Sequence, residues 1–240
     1  MAFGSPTHPQ PPDIEQDFEG LFRCMRSKRF RGGEDTGGEP ANYIYAYPPE
    51  RELEVRRRVL TLANRLQGMT VEDGDAAPGV LVVDLYELAI DIMRDNDVLE
   101  AALEQEPDMH GGPEDAANGV WPPLYEDGFH QALADMLGPD NDALPDALRE
   151  RYLQAEADHE ADLVFLSGVG QVHPYIRTHA LLSCVQDVMP EHTPVVVFFP
   201  GSYEKTASTV SVMRLFDRLD ADNYYRAFSL NAAIKEGTDA

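Results

Sequence analysis

The sequence predicts an α/β fold: a doubly wound, mostly parallel sheet of about five strands with helices on both faces. Three observations predict it. Short continuous apolar runs recur along the chain, such as Val80-Leu81-Val82-Val83 and Val195-Val196-Val197-Phe198-Phe199, the composition required of strands buried on two faces. Longer stretches between them carry apolar residues at helical spacing. The two patterns alternate over most of the chain, and strand–helix alternation implies parallel pairing.

Taken in order, residues 1–13 are proline-rich and polar and read as a disordered tail. Ile14, Phe18, Leu21, Phe22 and Met25 space out a first helix over 14–25. Glycine pairs at 32–33 and 37–38 mark a loop. Tyr43 to Tyr47 form the first strand, stopped by Pro48-Pro49. A helix follows to Gln67, with Leu53, Val59, Leu60, Ala63 and Leu66 expected on its buried stripe and Gly68 as its stop. Val80–Asp84 is the second strand, buried on both faces, and Leu85–Met93 continues as helix. Residues 105–120 hold Pro107, Gly111, Gly112, Pro113 and Gly119 and read as an exposed insertion. Helices near 125–137 and 145–157 lead to a third strand, Leu163–Ser167. Helix 176–188 crosses to the fourth strand, Val195–Phe199. A last helix near 210–219 precedes a fifth strand at 225–229. Residues 14–231 therefore read as one domain, with 232–240 as a C-terminal tail.

Composition narrows the function classes. Asp plus Glu number 43 against 19 Lys plus Arg, a formal net charge of −24, and only three of the cations are lysine (Lys28, Lys205, Lys235). Small domains usually carry a net charge of magnitude about 2–8, so this chain repels itself at low salt. In molar salt the Debye length falls to about 3 Å and screens that repulsion. The acidity is thus expected to be halophilic adaptation, an acidic surface kept hydrated in high salt; an acidic DNA mimic is the functional alternative. Direct nucleic-acid contact is not expected, because it needs a basic patch. Only 23–31 and Arg56-Arg57-Arg58 are basic. No apolar run reaches the roughly 18 residues of a membrane span, and the N-terminus lacks the pattern of a secretory signal, so a cytoplasmic location is expected. Cys24 and Cys184 lack the spacing of a disulfide framework or a cysteine zinc site.

Loops at the carboxyl ends of parallel strands are where open α/β sheets bind ligands. Three stand out: Asp84-Leu85-Tyr86, residues 167–177, and Pro200-Gly201-Ser202-Tyr203. Gly168 and Gly170 permit close backbone approach, and Pro174 suits a first helical turn, with Tyr175 beside it. Arg177 in that turn opposes the helix dipole. An acidic group should offset it, either inside the fold or on another molecule, since arginine suits carboxylate pairing.

Gly168-x-Gly170 is not a dinucleotide fingerprint, because His173 stands where the third glycine belongs. Gly201 to Thr206 lacks the second glycine of a phosphate loop, with Glu204 in its place. The seven histidines include no HExxH, and His179 reads as a packing or hydrogen-bonding group. Asn223, Tyr224, Tyr225 and Arg226 gather residue types common at interface hot spots, though an edge strand would use them equally well. No catalytic constellation, metal site or cofactor is implied.

The ordered blocks NYIYAYPPERELEVRRRVLTL (42–62), VLVVDLYELAIDIM (80–93), DLVFLSGVGQVHPYIRTHALLSCVQ (162–186), PVVVFFPGSY (194–203), MRLFDRL (213–219) and DNYYRAF (222–228) resemble the BrxB family of bacteriophage-exclusion (BREX) systems. The resemblance spans about residues 14–231. It implies a small core component of a phage-defence system, associated with a BrxC-like ATPase and a PglZ-like protein and, through them, a PglX-like methyltransferase. No catalytic residues are carried over. The expectation is a non-enzymatic adaptor that docks partner proteins at the carboxyl-end rim of its sheet; the alternative is a degenerate nucleotide-sensing domain using the same crevice.

Overall fold

A computed structural model describes residues 13–36, 40–70, 76–110, 128–138, 141–205, 211–220 and 227–236. The parallel strands are β1 (Asn42–Tyr47), β2 (Val80–Asp84), β3 (Leu163–Ser167), β4 (Val195–Lys205) and β7 (Phe228–Ser229), in the order β2-β3-β4-β1-β7. Every pairing along this path is parallel. The expected fold is therefore the observed one.

The helices divide between the two faces. On one lie α1 (Ile14–Met25), α3 (Glu52–Gln67) and α10 (Leu230–Glu236), over Tyr43, Tyr45, Phe165, Val196 and Phe198. The short α2 (Lys28–Arg31) adds Phe30 to that face. On the other lie α4 (Leu85–Asp95), α7 (Ala143–Ala157), α8 (Val169–Val172) and α9 (Thr178–Val188), over Ile44, Val164, Leu166, Val197 and Phe199. Alternate strand residues feed opposite cores. That is why β3 and β4 read as unbroken apolar runs, and Leu163–Leu166 and Val195–Phe199 are at most 2% exposed. Helices α5 (Leu99–His110) and α6 (Gly128–Leu137) complete the described elements, with Ala102 and Leu133 meeting Met93 of α4.

Several expectations are corrected. The stretch 210–219 is not a helix: β5 (Ser211–Leu215) and β6 (Leu219–Asp220) form a hairpin, and β5 runs antiparallel to the outer half of β4. Met213 and Leu215 are buried while Arg214 between them is exposed, a period of two. Pro200-Gly201-Ser202-Tyr203 is accordingly not a loop but a continuation of β4. The stripe on α3 is Val55, Val59, Leu62, Ala63 and Leu66, whereas Leu53 and Leu60 point to solvent, 73% and 57% exposed. β2 is half-buried at Leu81 and Val82 because it is an edge strand. The insertion expected at 105–120 begins as helix, since α5 runs to His110, and its remainder falls outside the described residues. Residues 232–236, expected in a tail, belong to α10, whose Ile234 is buried and would lie 3.0 Å from a Cβ on Gly20 of α1. The fifth strand is the two residues of β7; 225 and 226 are outside the described residues, as are 1–12 of the expected tail, whose last residue, Asp13, instead caps α1.

Gly201 makes the outer half of β4 possible. Its φ is +148°, and a Cβ there would sit 2.0 Å from the Arg214 carbonyl oxygen on β5. Backbone cannot retreat from that contact without breaking the β4–β5 ladder. Gly201→Ala is expected to cost well over 1 kcal/mol and Gly168→Ala, at φ +80° with its nearest contacts at 3.2 Å, about 1–2 kcal/mol. Urea unfolding of both variants checks the order; equal midpoints would contradict it.

Candidate functional site

Strands β1, β2 and β3 end at one rim of the sheet in Tyr47, Asp84 and Ser167, the last two being register partners. Asp84 closes β2 and caps α4: its Oδ1 accepts from the Tyr86 and Glu87 amides at 3.0 and 3.3 Å, and its Oδ2 accepts from Arg56 at 2.6 Å. An aspartate at this position satisfies amides that a helix start leaves open. The phenol of Tyr47, buried, donates to Glu52 Oε2 at 2.5 Å. The other Glu52 oxygen is buried without a hydrogen-bond partner.

Burial holds the Glu52 carboxyl above its ordinary range, against the lowering influence of the Tyr47 hydroxyl and Arg56, while the Asp84 charge pushes it the same way as burial. The phenols of Tyr47 and Tyr45 are pushed up, by burial first and then by Glu52 and Asp17 respectively. Arg56, Asp84 and Ser167 line a cleft of about 610 Å³ between α3 and the ends of β2 and β3. The Tyr47–Glu52 and Arg56–Asp84 pairs were not singled out from sequence. The available signal was Glu52 and Arg56 four apart on a helix that begins directly after the end of a strand.

The residues expected at the rim have diverse positions. Gly168 is left-handed, and a Cβ there would meet Asp84 Oδ1 and Gln171 Oε1, both at 3.2 Å. On Gly170 a Cβ would come within 2.8 Å of the Phe216 ring and 3.1 Å of Pro200. Both glycines thus make room for the protein's own side chains. Pro200 is buried. Pro174 does not open a helix: it follows a cis bond from His173, four residues ahead of α9. Burial, and then the Arg177 charge, hold the His173 imidazole below its ordinary pKa. Tyr175 is half-buried over an apolar cavity of about 270 Å³ bordered by α4, α5 and α6.

Arg177 sits at the N-cap position of α9, one residue before the expected turn, with extended backbone. It is exposed, and among the described residues no carboxylate pairs with it. His179 is exposed on the same helix. Tyr203 turns inward and donates to the Ala227 carbonyl at 2.7 Å. Asn223, Tyr224, Tyr225 and Arg226 lie outside the described residues. Among the described residues, no group of three acidic, histidine or cysteine side chains is placed to hold a metal ion, and no helix is long and apolar enough to cross a membrane. Neither Cys24 nor Cys184 is in a disulfide, and burial pushes the Cys184 thiol up to about 11.

The family model described as "BREX protein BrxB" matches residues 81–230. A BREX protein BrxB of Bacillus cereus (strain H3081.97) is 29% identical over 217 residues, 90% of this chain and 97% of that protein. One of Escherichia coli O9:H4 (strain HS) is 28% identical over 219 residues, 91% and 92% of the two chains. No solved structure matches the chain.

Glu52 generates a pH prediction. Its folded-state pKa is raised above the ordinary 4.5, so its neutral form favours folding, and that contribution fades as pH rises through the raised value. Glu52→Gln keeps an acceptor for Tyr47 and cannot ionise. The stability gap between variant and parent should therefore shift in the variant's favour from pH 4.5 upward. Urea titrations across pH 4–8 measure it, and a gap independent of pH would refute the assignment.

Proposed function

The chain belongs to the BrxB family, components of the BREX phage-defence system, and from that premise we propose that it is a non-enzymatic adaptor, holding partner proteins of the defence assembly at the carboxyl-end rim of its sheet. The partners in this reading are the BrxC-like ATPase and the PglZ-like protein, with the PglX-like methyltransferase reached through them. The chain acts in the cytoplasm, and its acidity keeps it hydrated in a salt-rich one.

The observation that carries the reading is Arg177. The polar groups at the strand ends are already used: Asp84 on the α4 amides and Arg56, Tyr47 on Glu52, Tyr203 on a carbonyl. Arg177 is exposed at the start of α9, where its charge faces the positive end of the helix. Among the described residues no acid relieves it. In a chain with 43 acidic residues, an arginine left without one is suited to a carboxylate supplied by another protein. The nucleotide-sensing reading has less support. The Asp84 carboxylate occupies the α4 amides that a phosphate would need, and Gly168 closes onto that same carboxylate.

Arg177→Ala is the test. An exposed, unpaired side chain is expected to change stability by no more than about 0.5 kcal/mol. The same substitution should weaken capture of the co-expressed partners in high salt at least about tenfold, and abolish defence. A parent chain that captures neither partner would sink the adaptor reading. An Arg177→Ala chain that captures them normally would remove the rim as the interface.

A further inference from the structure

The sheet is protected unevenly at its two edges. β7 is only two residues long, one of the ways proteins blunt an edge. β2 is five residues long and, among the described residues, pairs only with β3. Gly79, just before it, turns its carbonyl to the Leu163 amide at 3.1 Å and its own N–H to Asp162 at 2.8 Å, both on the β3 side. Backbone direction alternates along a strand, so Val80 and Val82 turn their N–H and C=O groups outward. Proline, lysine and a bulge are all absent from Val80–Asp84.

The open edge lies at the floor of a trough with two unlike walls. Towards α3, the cleft of about 610 Å³ contains Val82, the exposed Leu53 and Leu60, and Arg57, which pairs with no carboxylate among the described residues. Towards α4 and α7, a groove of about 1020 Å³ contains Leu81, the exposed Leu153, and the carboxylates of Asp95, Glu150, Asp158 and Glu160. Among the described residues no cation pairs with any of those four. Arg151 lines both clefts and joins them across the edge.

We propose that the β2 edge is a docking site for an extended segment of a partner protein, which adds to the sheet as a strand with lysine or arginine alternating with apolar residues. Strand addition satisfies the outward backbone groups. Because side chains alternate between faces, every second residue of the added strand overhangs the acidic wall beside Leu81. The residues between overhang the leucines beside Val82. A second copy of this chain fits poorly: antiparallel pairing about a two-fold axis normal to the sheet would set acidic wall against acidic wall, in a molecule of charge −24. The inference rests on the chain acting by binding proteins, but it uses a surface separate from Arg177.

The test uses the full chain in molar salt, where non-specific attraction is screened. The probe is a short capped peptide of alternating lysine and valine; a peptide of the same composition in two blocks is the control. The alternating peptide is expected to bind, and to slow hydrogen exchange at the Val80 and Val82 amides at least about tenfold. Val82→Pro removes an outward N–H without touching the β2–β3 ladder and should abolish both effects. Leu53→Glu with Leu60→Glu, which leaves the sheet untouched, should weaken binding at least about tenfold should the proline variant not fold. Arg177→Ala should leave binding intact, which separates failure at this edge from failure at the rim. Equal binding of the two peptides, or unchanged exchange in β2, overturns the proposal. A dimer in sedimentation that Val82→Pro dissociates replaces the occupant by a second copy.

Discussion

The six-residue parallel register of β1 on β4, from Asn42 opposite Val195 to Tyr47 opposite Pro200, is the constraint on which the rest of the molecule depends. With β1 placed between β4 and β7, the connection through α3 must carry the chain past β4 and β3 to reach β2. The next units then return toward β1. Travel in opposite directions distributes the helices between two faces, so each strand residue needs an apolar partner on its own side. The aromatic cluster of Phe18, Tyr45, Phe165 and Phe198 fills one face, with ring centroids 5.4 to 6.1 Å apart in the contacts that link them. The same path leaves β2 at the edge and brings the ends of β1, β2 and β3 to one rim.

Most of this was legible because it depends on local composition. β2 and β3 follow from their apolar runs, and α1 from the spacing of Ile14, Phe18, Leu21 and Met25, with Asp13 capping its amides. The missed elements depend on partners distant in sequence. Val212, Met213 and Leu215 fit a helical stripe as well as a strand, and only pairing with Gly201–Lys205 decides between them. That pairing needs Gly201 at a φ few other residues adopt. Leu53 and Leu60 look like core by type, and only the position of β2 at the edge shows that nothing described covers them. At the strand ends, the aspartate closing β2 and the serine closing β3 do meet as register partners, whereas 200–203 continue β4 instead of forming a loop. The glycines of the rim were legible as positions of close approach, but not what approaches them: Asp84, Phe216 and Pro200.

Charge places a further limit on the rim. In a chain with more than two acids per base, an arginine inside the fold finds a carboxylate easily, as Arg56, Arg58, Arg65 and Arg151 do. Such pairs at partly exposed sites contribute little individually, so they orient side chains more than they hold the fold. Glu52 differs because it is buried on a tyrosine rather than an ion, and its ionisation opposes folding. The rim therefore contains a carboxyl whose neutral state the fold prefers, next to an Asp84 whose charge is matched by Arg56 and two amides.

Internal satisfaction of that kind has a consequence for binding. A pocket that grasps a small ligand must keep donors and acceptors open until the ligand arrives, and unpaired buried groups are costly. Here the helix amides, the phenols and the strand-end carboxylate are already committed to one another. Apart from the buried Glu52 Oε1, the groups left open at the rim and the β2 edge are the guanidinium of Arg177, the outward backbone groups of β2, and the exposed carboxylates of Asp95, Glu150 and Glu160 in its trough. Exposed groups of this type release water to a macromolecular surface at little cost, and their geometry is specific only when several act together. In the adaptor reading proposed above, these exposed groups are the ones offered to partner proteins of the BREX system.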